Sequence, residues 1–118
     1  MRLLIVEDQA ILALGLECTL QELGHEVVGI ARDYEGAVRL AARHRPDLAL
    51  VDVILADGIT GVDVMFALRS HSDVPSVFVT GTAREIPEAA LPLSLGVITK
   101  PYHDAALKAA LTAAAALW

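Results

Sequence analysis

Residues 3–8 read Leu3-Leu4-Ile5-Val6-Glu7-Asp8, four apolar residues followed directly by two acids. A short run that is apolar on both faces is typical of a parallel strand whose sheet is covered by helices on both sides. Residues 48–52 repeat the pattern as Leu-Ala-Leu-Val followed by Asp52. These two stretches indicate an α/β protein in which acidic side chains lie at strand ends.

Helical patterns alternate with strand patterns outward from these two runs. Further strands are predicted over 26–31, 76–79 and 97–99, and helices over 34–44 and 104–117. Pro87 and Pro92 lie five residues apart, so a helix between the last two strands can only be short. The alternation predicts a parallel five-stranded sheet with right-handed crossovers and a short or irregular fourth helix.

The spacing of apolar residues predicts which helix faces are buried. In the first helix the predicted stripe has spacings of four, four and three residues, at Leu12, Leu16, Leu20 and Leu23. A third helix is predicted through Val62, Met65, Phe66 and Leu68.

Composition excludes several classes of protein. The chain has 118 residues, the size of one domain, and 55% of them are hydrophobic, which excludes intrinsic disorder. Nine basic against fifteen acidic residues make direct nucleic-acid binding a poor hypothesis. A single cysteine, Cys18, excludes an intramolecular disulfide and a cysteine zinc cluster. No apolar run is long enough for a membrane span, so we expect a cytoplasmic protein.

The polar residues that follow strands are expected to meet at one edge of the sheet, because ligands of such sheets bind outside the carboxyl ends of the strands. Glu7, Asp8 and Asp52 would bring three carboxylates together there. Each pair repels by about 4 kcal/mol at ~4 Å and an effective dielectric of ~20. A proton or a cation must relieve this repulsion, and a small set of oxygen ligands suits Mg²⁺.

Thr80 and Lys100 follow the fourth and fifth strands and complete the predicted site. The set fits phosphoryl transfer to a carboxylate, with Asp52 as the nucleophile at the end of the middle strand. Mg²⁺ would neutralise the carboxylates and clamp phosphoryl oxygens. Lys100 and Thr80 would bind the remaining oxygens through charged and neutral hydrogen bonds.

The order and spacing of four short motifs resemble a response-regulator receiver domain over the whole chain, residues 1–118. The motifs are Ile5-Val6-Glu7-Asp8, Leu50-Val51-Asp52, Val79-Thr80-Gly81 and Thr99-Lys100-Pro101. The resemblance implies a (βα)₅ fold, a doubly wound sheet with the strand order 2-1-3-4-5. It also implies that Asp52 is phosphorylated by a sensor histidine kinase or a phosphotransfer protein.

The same resemblance implies a ligand set for Mg²⁺. Asp8, Asp52 and the backbone carbonyl of Ile54 would bind the ion directly, and Glu7 would act through a coordinated water. It further implies a cis peptide bond before the proline of Lys100-Pro101, the residue pair at the end of the fifth strand.

Three departures from the family pattern are visible in the sequence. Ala56 replaces a common proline in the loop after Asp52, and that loop is about one residue longer. Val97 replaces the tyrosine or phenylalanine that many receivers carry three residues before the lysine, so the usual threonine–aromatic switch cannot operate.

Residues 78–82 resemble an alphaproteobacterial subgroup that works with kinases of the HWE type, which makes 82–96 the expected switch segment. Ile54 and Thr82 would flank the path of the hydrolytic water.

The leading hypothesis is a signalling module that changes its binding face for a downstream protein and is not a stand-alone enzyme. The sequence is compatible with a homodimer and does not decide the oligomeric state. One alternative is a phosphatase resembling haloacid dehalogenases, which would need a second acid at position 54, where this chain has Ile54. A dinucleotide-binding enzyme would need a glycine-rich turn where Glu7-Asp8 stands. The last alternative is a degenerate receiver that binds partners without phosphorylation, against which the complete acidic set argues.

Overall fold

The computed structural model of the chain describes residues 1–117; Trp118 lies outside the described part. The strands are β1 (Arg2–Val6), β2 (Glu26–Ala31), β3 (Leu48–Val51), β4 (Ser76–Thr80) and β5 (Val97–Thr99). The helices are α1 (Ala10–Glu22), α2 (Tyr34–His44), α3 (Gly61–Ser72) and α4 (Asp104–Leu117). Two single-turn 3₁₀ helices, Ala83–Glu85 and Leu91–Leu93, lie between β4 and β5.

All five strands are parallel and follow the order β2-β1-β3-β4-β5, which confirms the predicted fold. Val6 at the end of β1 is in register with Val51 at the end of β3, and Thr80 with Thr99 across β4 and β5. The strand order changes direction between β1 and β3. In open α/β sheets this is the position at which a crevice forms.

The sheet separates two layers of apolar side chains. On one side α2 and α3 cover Leu4, Val6, Val51 and Phe78. On the other side α1 and α4 cover alternate residues of the same strands, among them Leu3, Ile5 and Leu50. Because successive residues of a strand point to opposite faces, strands covered on both sides are apolar throughout, which is the pattern that predicted them.

One predicted core position, Leu12, is wrong, and one large apolar side chain of α3, that of Phe66, faces outward. Leu12 of α1 is 43% exposed, and Ala13 occupies the inner face with Leu16 and Leu20. Phe66 of α3 is 44% exposed. At 3.6 residues per turn, Leu12 lies about 100° from Ala13 and therefore at the rim of the buried face. Phe66 lies about 200° from the buried Val64, on the outer face.

The connection between β4 and β5 contains no α-helix. Pro87 and Pro92 interrupt it, and the two 3₁₀ turns are held to the core through the buried side chains of Ile86 and Ala90. The predicted short or irregular fourth helix is thus confirmed. Among residues 1–117, no helix combines the length and the apolar character that crossing a membrane requires.

Candidate functional site

Two buried carboxylates lie at the carboxyl edge of the sheet, one after β1 and one after β3. Glu7 is 6% exposed and Asp52 is 8% exposed. Their backbone N–H groups continue the sheet pattern, since Glu7 donates to the carbonyl of Ala31 and Asp52 donates to the carbonyl of Val6 at 2.9 Å. The register of adjacent strands therefore fixes both residues at the point where the strand order reverses.

Lys100 joins the two carboxylates. Its Nζ lies 2.5 Å from Oε1 of Glu7 and 2.7 Å from Oδ2 of Asp52. The backbone N–H of Lys100 donates to the carbonyl of Thr80 at 2.9 Å, so β4 positions the lysine at the end of β5. The Lys100–Pro101 peptide bond is cis, as the sequence resemblance implies. Charge-assisted hydrogen bonds of this length are among the strong ones in proteins.

The second oxygen of each carboxylate accepts only a long backbone hydrogen bond. Ile54 donates to Oδ1 of Asp52 at 3.4 Å, and Gln9 donates to Oε2 of Glu7 at 3.3 Å. Each carboxylate is thus held by one short bond from Lys100 and one weak bond from the following loop. A carboxylate has about four lone-pair positions, so both keep unused acceptor capacity.

Burial and hydrogen bonding shift the pKa values of Glu7 and Lys100 in opposite directions. Burial raises the pKa of Glu7, and the hydrogen bonds from Lys100 and Gln9 offset this only in part. Burial alone would lower the pKa of Lys100, but its hydrogen bonds to Asp52 and Glu7 outweigh that effect and raise it. Lys100 therefore stays an ammonium ion at neutral pH and supplies the positive charge that the two acids need.

Asp8, the third predicted acid, stands apart from this pair of contacts. It is half-buried, and within the described residues its carboxylate has no hydrogen bond or ion pair. No set of three or more acidic, histidine or cysteine side chains in residues 1–117 is arranged to hold a metal ion. The donors present, an unpartnered carboxylate beside a buried one and backbone carbonyls, are nevertheless all oxygens. They fit Mg²⁺, which takes one or two protein carboxylates and keeps several waters.

Thr80, the remaining predicted residue, is fully buried at the end of β4. Its hydroxyl oxygen accepts a hydrogen bond from the N–H of Thr82 at 3.0 Å and lies 2.9 Å from the hydroxyl oxygen of Thr82. The structure thus pairs Thr80 with Thr82 and not with either carboxylate.

Gly61 is a site residue that the sequence analysis did not single out. It begins α3, and its N–H donates to the carbonyl of Val53 at 2.9 Å. A Cβ at this position would lie 2.0 Å from the backbone oxygen of Asp52. Only glycine allows α3 to pack this closely against the backbone of Asp52 and Val53. The signal available in the sequence is a glycine placed at the start of the helix that follows Asp52.

An apolar groove opens beside the carboxylates, between α1 and the start of α4. Its volume is about 570 Å³, and its walls include Ile11, Leu12 and Tyr102 together with Asp52 and Lys100. Ile11 is 85% exposed and lies where α1 approaches the site. Asp52 and Lys100 therefore lie in the wall of a groove whose other side chains are largely apolar.

Comparison with known proteins gives the family. The sequence model described as "Response regulator receiver domain" matches residues 3–112. The Phyllosphere-induced regulator PhyR of Methylorubrum extorquens is 35% identical over 113 residues, which are 95% of this chain and 42% of that protein. The transcriptional regulatory protein PdtaR of Mycobacterium tuberculosis is 35% identical over 86% of this chain and 50% of its own length. The chain thus spans half or less of these relatives.

Solved structures give the same result. The receiver domain of the Erythrobacter litoralis PhyR response regulator has a TM-score of 0.88 at 29% identity, covering 97% of this chain and 88% of that one. The anti-anti-sigma factor PhyR from Bartonella quintana has a TM-score of 0.83 at 30% identity, covering 98% of this chain and 47% of that one. The strand order, the acids after β1 and β3, the lysine after β5 and the family match agree, and this chain belongs to the response regulator receiver domain family.

Proposed function

We propose that the chain accepts a phosphoryl group on Asp52, in the presence of Mg²⁺, as the receiver of a two-component phosphorelay. One observation carries the proposal: a buried carboxylate at the reversal of strand order has an ammonium group 2.7 Å from one oxygen. The other oxygen, Oδ1, accepts only the long bond from the N–H of Ile54. Such a carboxylate is held in place and keeps lone pairs for attack on phosphorus.

The transfer itself is one displacement at phosphorus. An oxygen of Asp52 forms a P–O bond as the P–N bond of a partner's phosphohistidine breaks, and the electron pair of that bond stays on the imidazole. The product is an acyl phosphate on Asp52 and a histidine. Catalysis of this step consists mostly of positioning and charge compensation, and Lys100 supplies a positive charge at the acceptor.

Mg²⁺ would be held by Asp8, Asp52 and the backbone carbonyl of Ile54, with Glu7 acting through water. When bound, the ion neutralises negative charge on the carboxylates and on the phosphoryl oxygens. The unpartnered carboxylate of Asp8 supports this set, because a half-buried acid next to two buried acids gains most from a cation.

The proposed outcome of phosphorylation is a change in protein binding. The phosphoryl group adds acceptors that compete for Lys100 and for the hydroxyl of Thr80, both at the ends of β5 and β4. The adjacent segment 81–96 has only single 3₁₀ turns and can rearrange without unfolding a helix. This is a population shift between two states of one face, read by a downstream protein.

The proposed donor is a sensor histidine kinase, of the HWE type, or a phosphotransfer protein in the cytoplasm. The apolar groove beside Asp52 supports a protein donor, because exposed Ile11 and Leu12 offer a contact surface at the entrance to the site. We propose no stand-alone enzymatic activity. A phosphatase resembling haloacid dehalogenases would need a second acid two residues after Asp52, and position 54 is an isoleucine.

The test compares two aspartate variants. The chain is incubated with ³²P-labelled acetyl phosphate and Mg²⁺, and bound label is counted after separation. Asp52→Asn should take up no label, because an amide is not a nucleophile for phosphorus at neutral pH. Asp57→Asn, an exposed aspartate in the same loop that bonds Thr60 and Tyr34, should label like the wild type. Labelling of Asp52→Asn at the wild-type rate would contradict the proposal.

A further inference from the structure

The hydroxyl of Thr80 has one side-chain neighbour that no part of the proposed phosphoryl transfer uses. Thr80 is fully buried. Its Oγ1 accepts from the N–H of Thr82 at 3.0 Å and lies 2.9 Å from Oγ1 of Thr82. Within the described part of the chain, its side chain makes no other hydrogen bond.

The burial of Thr80 decides the direction of the bond between the two hydroxyl groups. A threonine hydroxyl has one proton to donate, and a buried one needs a partner within the protein. Thr80 cannot give its proton to solvent, whereas Thr82 is partly exposed and can. The Thr80 hydroxyl therefore donates to Oγ1 of Thr82.

Thr82 also begins the segment that follows β4. Its carbonyl accepts from the N–H of Glu85 at 2.8 Å, the bond that closes the first 3₁₀ turn. On the neighbouring strand the position of Val97 offers no polar group and no ring that could respond to movement of the Thr80 hydroxyl. The described hydrogen bonds thus connect that hydroxyl to segment 81–96 through Thr82.

We propose that Thr82 is a positioning residue that holds the Thr80 hydroxyl in the unphosphorylated state and passes its release to segment 81–96. The inference rests on the proposed function. A phosphoryl group on Asp52 offers the Thr80 hydroxyl a charged acceptor, which outcompetes a neutral hydroxyl oxygen. When the Thr80 hydroxyl turns to the phosphoryl group, it no longer donates to Oγ1 of Thr82, and the start of the first 3₁₀ turn loses this side-chain bond to β4.

The experiment measures binding of beryllofluoride, a mimic of the phosphoryl group, in the presence of Mg²⁺. Binding is followed by the NMR signals of the amides in 81–96. Thr82→Val keeps the backbone N–H and the side-chain volume but removes Oγ1. The substitution removes the hydrogen bond from the Thr80 hydroxyl to Thr82, which is present only in the unbound state. The unbound state is therefore destabilised relative to the bound state. The apparent affinity should rise about fivefold, which corresponds to the net free energy of one neutral hydrogen bond.

Two controls separate this role from a general structural effect. Thr82→Ser restores the oxygen and should restore wild-type affinity. In a Thr80→Val background, which lacks the hydroxyl, Thr82→Val should change the affinity by less than about twofold, because coupling requires both groups. Thr82→Ala removes the same oxygen and replaces Thr82→Val if the valine variant does not fold.

Three results would overturn the inference. They are unchanged affinity in Thr82→Val, a fivefold gain that persists in the Thr80→Val background, and a loss of affinity, which would place Thr82 in contact with the phosphoryl mimic. A wild-type chain that binds no beryllofluoride and takes no label from acetyl phosphate would instead contradict the proposed function, and the role of Thr82 would fall with it.

Discussion

Lys100 shows how a single side chain sets the charge balance of the site. Two buried carboxylates share one ammonium group, so the cluster keeps one net negative charge with Asp8 still unpaired beside it. The sequence predicts that Glu7, Asp52 and Lys100 converge, because each directly follows an apolar run. It does not predict that the ammonium group of Lys100 bonds both carboxylates at once, since that depends on how far each side chain reaches. Nor does the sequence predict that Asp8 has no hydrogen bond or ion pair within the described residues.

Removing the ammonium group of Lys100 should make the stability of the fold depend on Mg²⁺. We expect Lys100→Met to lower stability by about 2 kcal/mol without Mg²⁺, because two buried carboxylates lose their counter-ion. Thermal unfolding with and without Mg²⁺ measures this, and the ion should raise the melting temperature of the variant more than that of the wild type. Lys108→Met, at the other lysine and on the exposed face of α4, is the control and should change little. Equal effects of Mg²⁺ on Lys100→Met and wild type would argue against this charge balance.

At the scale of elements, the position of α3 depends on one glycine. The helix begins at Gly61, directly beneath the backbone of Asp52 and Val53. Strand bounds are predicted well because strands covered on both faces are apolar throughout. Helix faces are predicted less well, because residues such as Leu12 and Phe66 are apolar yet lie at a rim or outside. Close approach of two backbones is not visible in an apolar pattern, so the role of Gly61 emerges only from the structure.

Adding a methyl group at this contact should damage both stability and the site. Gly61→Ala places a Cβ 2.0 Å from the carbonyl oxygen of Asp52, so the loop or the helix must move. We expect a loss of at least about 2 kcal/mol in urea unfolding, together with slower labelling by acetyl phosphate. Gly15→Ala in α1, where a Cβ meets nothing within 4 Å, should instead stabilise the chain by about 0.5–1 kcal/mol. A neutral Gly61→Ala would contradict the proposed role of the close contact.

The connection between β4 and β5 should be the least protected part of the sheet's carboxyl edge. Its backbone hydrogen bonds belong to single turns, such as those from Glu85 to Thr82 and from Ala90 to Pro87. Hydrogen exchange measured by mass spectrometry should show 82–94 exchanging much faster than β1 and β3. Phosphorylation should change exchange in this segment before it changes exchange elsewhere. Protection equal to that of β3 would contradict a switch located here.

Across the whole molecule, the site depends on the order in which the five strands lie side by side in the sheet. Glu7 and Asp52 come from strands adjacent in the sheet but 45 residues apart in the chain, and Lys100 comes from an edge strand. The apolar layers on the two faces hold these strand ends in register, so packing remote from the site fixes its geometry. Sequence predicts this level well, because the alternation of strands and helices leaves few topologies. The sequence does not predict individual contacts between hydroxyl groups, such as that of Thr80 with Thr82.

Mapping the phosphoryl group on the wild-type chain would identify directly the side chain that accepts it. The protein is treated with acetyl phosphate and Mg²⁺, reduced with borohydride, which converts an aspartyl phosphate to homoserine, and digested for mass spectrometry. We expect conversion at Asp52 alone, and none when Mg²⁺ is removed with a chelator. Conversion at Asp8 or Asp57, or equal conversion without Mg²⁺, would contradict it.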